Sequence, residues 1–215
     1  MNRTGKGAAF ATAVTALTLT FGPAAACADS FGGRACAAVV QTLSGTTRYC
    51  DTGALASAGG SLSASLQAIS TATLASGPSS CNTQGSGGDA TSVSSMADVS
   101  VYAGLAAVLT ASLVSSTTDV SCESATGSST INGLVFAGAA VNVTGAANQT
   151  VSVPAVGTLV INEHVQGGAS AITVNALHLT LVSGEDLLLG CTQSEHICTV
   201  PTRQTTWGQV KSLYR

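Results

Sequence analysis

The feature that most restricts this chain is a recurrence of short alternating runs, each cut off by glycine. Ser61–Leu74 (SLSASLQAISTATL) keeps Leu62, Ala64, Leu66 and Ala68 on one parity, the period of a strand with one buried face. Similar runs are expected at Arg34–Leu43, Thr46–Cys50, Met96–Tyr102, Val108–Cys122, Ile131–Phe136, Ala140–Thr144, Thr150–Val153, Thr158–Val165, Ile172–Val182 and Leu187–Cys191. Turns fall at Gly138, Gly145–Asn148, Pro154–Gly157, Gln166–Ser170 and Ser183–Gly184, with Gly77–Ser92 as the longest loop. Ala103–Ala107 (AGLAA) reads as a tight connection or a helical turn. Strands this short and evenly spaced predict an all-β antiparallel sandwich or roll. The alternative is a β-solenoid, although no fixed repeat period shows.

The sequence looks low in complexity but does not have a disordered composition. It is 45% hydrophobic and only 8% charged, the reverse of the composition that keeps a chain unfolded. Branched Thr and Val suit a pleated surface. The formal charge of −3 disfavours nucleic acid, which needs a basic stripe. Aromatic residues make up 4%, too few for a surface that stacks sugars or bases.

The first residues carry Arg3 and Lys6, then the apolar run AAFATAVTALTLTFG, then PAAACADS. A basic start, a short apolar core and an A-x-A site are the parts of a secretory signal peptide. Residues 1–28 are therefore expected to be removed, leaving a secreted β domain over 29–200 and a C-terminal tail over 201–215. Cleavage after Ala26 is the alternative and would leave Cys27 first, as in a lipoprotein. The apolar run is too short and too interrupted to span a bilayer, so the cleaved chain is not expected to be transmembrane.

Beyond Cys27 lie Cys36, Cys50, Cys81, Cys122, Cys191 and Cys198. An even number in an exported chain argues for disulfide staples. Short loops close most readily, which favours Cys36–Cys50 and Cys191–Cys198 and leaves Cys81–Cys122. None has C-x-x-C zinc spacing.

The polar residues concentrate in GTLVINEHVQGGASAITVNALHLTL, Gly157–Leu181. Asn148-Gln149-Thr150, GTLVINE (Gly157–Glu163), VNALHLTL (Val174–Leu181) and the Gly-Glu-Asp turn after them resemble the choice-of-anchor P family. FGGRA and DTGALASAGG near the N-terminus are similar too. Members are secreted bacterial proteins of unassigned activity, attached to the envelope by different C-terminal devices. The resemblance implies secretion and a β-rich domain but supplies no catalytic residue. The chain departs from the anchored pattern, since TTWGQVKSLYR carries no LPxTG-type signal.

With the Gln166–Ser170 turn placing Glu163 opposite Ile172, His178 falls opposite Gly157. Glu163 and His178 then lie about 20 Å apart along one face, too far for a dyad, with Asn162 and Asn175 on the other. On this register Asn162, Glu163, Asn175 and His178 are structural, the Asn and His satisfying backbone groups. A metal or acid–base site would draw on Glu163, His164, His178, Glu195 or His196.

Asp51-Thr52-Gly53-Ala54 spells the DTGA of aspartic proteases, whose paired aspartates share a proton. One copy would need a dimer, and Asp, Thr and Gly are also ordinary turn formers. No G-x-S-x-G is present. Asp89 stands alone in GSGGDATS, without the further carboxylates of a calcium loop. Asn142 and Asn148 fit the glycan acceptor pattern but read as turn residues. Thr71-Ala-Thr73 is too isolated for an ice-binding face. Trp207, Val210 and Tyr214 fall on one side of a short amphipathic helix with Thr206 as its N-cap, a tail suited to docking on its own domain or on a partner.

The expectation is a non-catalytic secreted or cell-surface protein with a structural, adhesive or matrix role. It needs no cofactor or metal, and its partners are an envelope component or itself. The alternative is a secreted hydrolase built on the single DTG, or a metal-dependent enzyme.

Overall fold

The computed structural model describes residues 29–199, and every element in them is a strand. The signal segment, Cys27 and the tail residues Trp207, Val210 and Tyr214 lie outside the described residues. Among the described residues no helix is long and apolar enough to cross a membrane.

In chain order the strands are β1 (Ser30–Thr42), β2 (Gly45–Asp51), β3 (Gly60–Leu66), β4 (Ile69–Ser70), β5 (Leu74–Ser76), β6 (Ser79–Ser86), β7 (Asp89–Ala103), β8 (Ala106–Ser121), β9 (Ala125–Asn132), β10 (Val135–Phe136), β11 (Ala139–Ala140), β12 (Gln149–Val153), β13 (Gly157–Gln166), β14 (Ala171–Leu181) and β15 (Asp186–Ile197). They form two antiparallel sheets, the sandwich expected from the alternation. The first has the order β12-β13-β14-β15-β1-β2. The second is built on the long β7–β8 hairpin. Strands β6 and β5 lie end to end along one side of it, and β9 and β10 along the other. Strand β3 adds outside β6, and β9 closes the opposite edge.

The stretch Gly77–Ser92, expected as a loop, is instead β6, a Gly87-Gly88 turn and the start of β7. Its inward positions are Ser79, Cys81, Thr83, Ala90 and Ser92, all buried. The alternation is present but is carried by hydroxyls, so a search for apolar residues passes over it. The single run expected over Ser61–Leu74 is broken into β3, β4 and the turn into β5, where the Thr71 hydroxyl accepts from Leu74 N at 2.8 Å. AGLAA is the tight connection between β7 and β8.

A row of residues, alternate ones left-handed, crosses each sheet. In the first it runs Asn162, Ala176, Gly190, Ala37, Cys50, each set between the paired residues on either side. Alternate members carry positive φ: Asn162 at 52°, Gly190 at 61° and Cys50 at 49°. In the second sheet Asp98 (φ 50°) and Gly133 (φ 63°) flank Ser112 in the same way. Such a residue bends the strand as a bulge does and exchanges the faces its side chains meet. On β14 the inward residues are Ile172 and Val174 before the row, and Leu177, Leu179 and Leu181 after it. On β7 they are Ala90, Ser92, Ser94 and Met96 before, and Val99 and Val101 after.

The row divides the interior. One half is apolar, with Leu74, Leu109, Phe136, Leu159, Leu177, Leu179, Leu187 and Leu189 fully buried. The other half is lined by buried hydroxyls that bond across the sheets. Ser92 Oγ donates to Gln193 O at 2.7 Å, Ser94 Oγ to Cys36 O at 2.9 Å, and Thr192 Oγ1 to Ser116 Oγ at 3.1 Å. Thr118 and Ser194 share a hydrogen bond of 2.8 Å. The backbones approach closely here: a Cβ on Gly33 would sit 2.3 Å from Thr83 Oγ1, and one on Gly127 2.3 Å from Val174 Cγ2. Small residues are required on both sheets, which is a physical reason for the Ser, Thr, Gly and Ala in the sequence.

A disulfide joins Cys122, beyond β8, to Cys198, beyond β15. It replaces the expected Cys81–Cys122 and Cys191–Cys198 pairs. The expected Cys36–Cys50 pair also fails. Cys36 packs with Val39, Leu188 and Cys191 on the outer face, whereas Cys50 joins the inter-sheet core.

Candidate functional site

The densest set of ionisable side chains lies on the outer face of the first sheet. It depends on the β13–β14 register, which differs from the expected one. Glu163 stands opposite Asn175, not Ile172, and His178 opposite Val160, not Gly157. The face exchange at Asn162 and Gly190 brings Asn175 and His178, three residues apart, onto one side of the sheet. Glu163 and His178, expected to be far apart, are in contact.

His178 Nδ1 meets Glu163 Oε1 at 2.9 Å, and its Nε2 meets Asp186 Oδ1 at 2.9 Å. Asn175 Nδ2 donates to the second Glu163 oxygen at 2.6 Å, and Thr180 Oγ1 donates to Asp186 at 2.9 Å. A carboxylate on each side suits an imidazolium, which donates from both nitrogens. Partial burial works against that charge, but the hydrogen bonds to Glu163 and Asp186 outweigh it and raise the His178 pKa above the ordinary value. The chain β13–Glu163–His178–Asp186–β15 is thus a polar strap across three strands. Asp186, on the turn after the family-like motif, was not singled out from the sequence. The signal was there in GED at the hairpin end, but only the true register places it beside His178.

Asn162 lies apart from this strap. Its Oδ1 accepts from Ser129 Oγ at 2.9 Å and contacts His164 Nε2 at 3.0 Å, while its Nδ2 donates to Gly145 O at 3.1 Å. It joins β13 to the facing β9 and to the loop before β12, a structural use that also steadies its left-handed backbone. His164 is held there and is not near His178's carboxylates.

Further across the same outer face lies a pocket of about 150 Å³ lined by Arg34, Cys36, Arg48, Asn175, Cys191 and Gln193, among others. Arg34 Nε donates to Asp51 Oδ1 at 2.8 Å, and its Nη2 pairs with the other oxygen. That hydrogen bonding to Arg34, reinforced by the Gly53 amide, holds the Asp51 carboxyl below the usual carboxylate range. Gly53 has φ 76°, and Thr52 Oγ1 accepts from Ala35 N at 3.0 Å. The DTG is therefore a turn clamped to β1, with Asp51 an ionised partner of arginine.

The remaining expected ligands are elsewhere. Glu195 sits opposite Gly32 and Ala171. His196 is fully buried, stacked on Phe31 with ring centroids 4.8 Å apart, and lies 3.5 Å from Cys198 Sγ, 3.8 Å from Cys122 Sγ and 3.7 Å from Asp29. These groups converge, but the two sulfurs are bonded to each other and are not thiolate donors. The set Glu163, His164, His178, Glu195 and His196 does not form one centre.

Comparison with known proteins found no matching family model, no similar curated protein and no similar solved structure.

Proposed function

We propose that this is a secreted or cell-surface β module with a structural or adhesive role, acting through its strand edges and not through bond chemistry. The observation that carries the reading is the character of the two free edges of the second sheet. Strands β3 (GSLSASL) and β9 (ATGSSTIN) each pair on one side only. Neither contains Lys, Arg, Asp, Glu or Pro, the residues with which soluble proteins usually protect an edge. Ser61, Ser63 and Ser65 of β3 are exposed, so on that face an incoming strand would meet hydroxymethyl groups beside the unpaired backbone. Strand addition of this kind draws affinity from main-chain hydrogen bonds.

The outer-face groups support the same reading. His178 has both ring nitrogens committed to carboxylates, and Asp51 is committed to Arg34. Leu43 and Leu105 stand fully exposed on the β1–β2 and β7–β8 turns, suited to contact with an apolar partner surface. The resemblance of GTLVINE and VNALHLTL to the choice-of-anchor P family fits a surface location, as does the signal-like N-terminus. The partner is an envelope component or a second copy of the chain.

The test is sedimentation velocity over a wide concentration range, with and without isolated envelope, on the wild-type protein and on S63K and S65K. The expected result is self-association or envelope binding by the wild type that either lysine abolishes without changing the melting temperature. A wild type that stays monomeric and leaves the envelope unbound contradicts the proposal.

A further inference from the structure

Among the described residues four thiols remain besides the Cys122–Cys198 bridge, and all four are buried. They are not scattered. Cys36 on β1 and Cys191 on β15 are direct cross-strand partners and share one small buried cluster with Val39. Directly opposed residues of an antiparallel pair have Cβ atoms about 4.5–5.5 Å apart. A disulfide spans about 3.5–4.5 Å, so a small closing movement suffices.

The second pair is aimed by the backbone. Cys50 belongs to the left-handed row, with φ 49°, an uncommon conformation for a residue with a side chain. It turns the thiol off the outer face, where Asp51 lies, and into the inter-sheet core. There it shares the buried core with Cys81 on β6 of the facing sheet, and β2 and β6 pack against each other. A strained position asks for a use, and here it places the Cys50 side chain in the core that holds Cys81.

We propose that Cys36–Cys191 and Cys50–Cys81 close as disulfides when the folded chain meets a disulfide oxidant, giving with Cys122–Cys198 a three-bridge frame. The frame has a plain logic. Cys36–Cys191 links neighbouring strands in the middle of the first sheet. Cys50–Cys81 ties the edge strand β2 across to the second sheet, and Cys122–Cys198 ties the end of β15 to the β8–β9 turn. Each sulfur is used once, and each new pair shares a buried cluster.

Cys36 is the attacking sulfur of the exposed-side pair. It lines the outer-face pocket, and Arg48 Nη1 lies 3.8 Å from it. The hydrogen bond from Cys191, and behind it the Arg48 charge, favour its thiolate. The Cys36 thiolate attacks one sulfur of a low-molecular-weight disulfide such as glutathione disulfide and expels one thiolate. Cys191, deprotonated in turn, attacks the Cys36 sulfur of the mixed disulfide and expels the second. The protein dithiol gives up two electrons and two protons, and the oxidant becomes two thiols.

In the exported protein this inference rests on the secretion reading above, and the experiment separates the two. The full-length chain is reduced under native conditions, treated with glutathione disulfide, alkylated, digested without reduction and mapped by mass. Linked peptides joining Cys36 to Cys191 and Cys50 to Cys81 are expected. C36S should leave Cys191 as the one newly alkylated thiol, with the other two bridges intact. Persistent alkylation of these four cysteines in the oxidised wild type, or a Cys36–Cys50 peptide, would overturn the pairing. Protein taken directly from the native host is mapped in parallel. If it holds thiols where the oxidised sample holds both bridges, the pairing stands and the secretion reading fails.

Discussion

Replacing Gly190 by alanine tests the left-handed row on which the site's geometry depends. Gly190 has φ 61°, where an L side chain costs about 1–2 kcal/mol. A Cβ there would lie 3.0 Å from Ala176 Cβ and 3.3 Å from Val114 Cγ1 of the facing sheet. Neither neighbour is the flexible end of a long side chain, so overpacking adds roughly 1–3 kcal/mol. The two effects together predict a loss of about 2–5 kcal/mol. G87A is the matched control. Gly87 has nearly the same φ, 65°, but no atom within 4 Å of the new Cβ. It should lose only the conformational part, about 1–2 kcal/mol. Urea unfolding of the three proteins, followed by near-ultraviolet circular dichroism, gives both values. Equal losses for G190A and G87A would refute the argument, because close packing at the row would then be absent.

Three other outcomes follow from the same structure. The folded pKa of His178 is raised above its unfolded value near 6.5, so the strap's contribution is full below about pH 6.5 and is lost as pH rises through the folded pKa. The side chains are only partly buried, so the strap should contribute roughly 1 kcal/mol. H178Q should remove that pH dependence from urea midpoints, and an unchanged profile would count against the strap. Ser92 Oγ bonds Thr83, Ser194 and Gln193 O in the buried hydroxyl layer. S92A should therefore cost about 1–3 kcal/mol by chemical denaturation, and a neutral result would mean that the layer does not cohere. Cys122 and Cys198 are separated by 76 positions, and replacing both by serine should lower stability by about 2–4 kcal/mol, measured against the oxidised wild type.

The fold class was legible because period-two alternation needs no register to be recognised. Where it was misread, polarity misled: Ser79, Thr83 and Ser92 occupy core positions, and a hydroxyl-lined interior looks like a loop in sequence. The site was half legible. Glu163, Asn175 and His178 stood out by residue type, yet their contact was missed for two local reasons. The β13–β14 hairpin turns at a different point from the one chosen, which shifts every pairing by three positions. The left-handed Asn162 and Gly190 then exchange faces, and strict alternation has no term for that. Cysteine pairing failed for a related reason. Loop length favours near neighbours in sequence, whereas Cys36 and Cys50 are sent to opposite faces by the same row.

The central claim is that His178 is a spent, structural imidazolium and not a base or ligand awaiting a substrate. A nitrogen-15 NMR pH titration of the histidine rings, with His178 assigned through H178Q, measures this directly. The structure predicts a ring that titrates above the ordinary histidine value, because Glu163 and Asp186 both favour its charged form. A His178 ring that titrates at or below the ordinary histidine value would contradict it and return acid–base chemistry to this face of the protein.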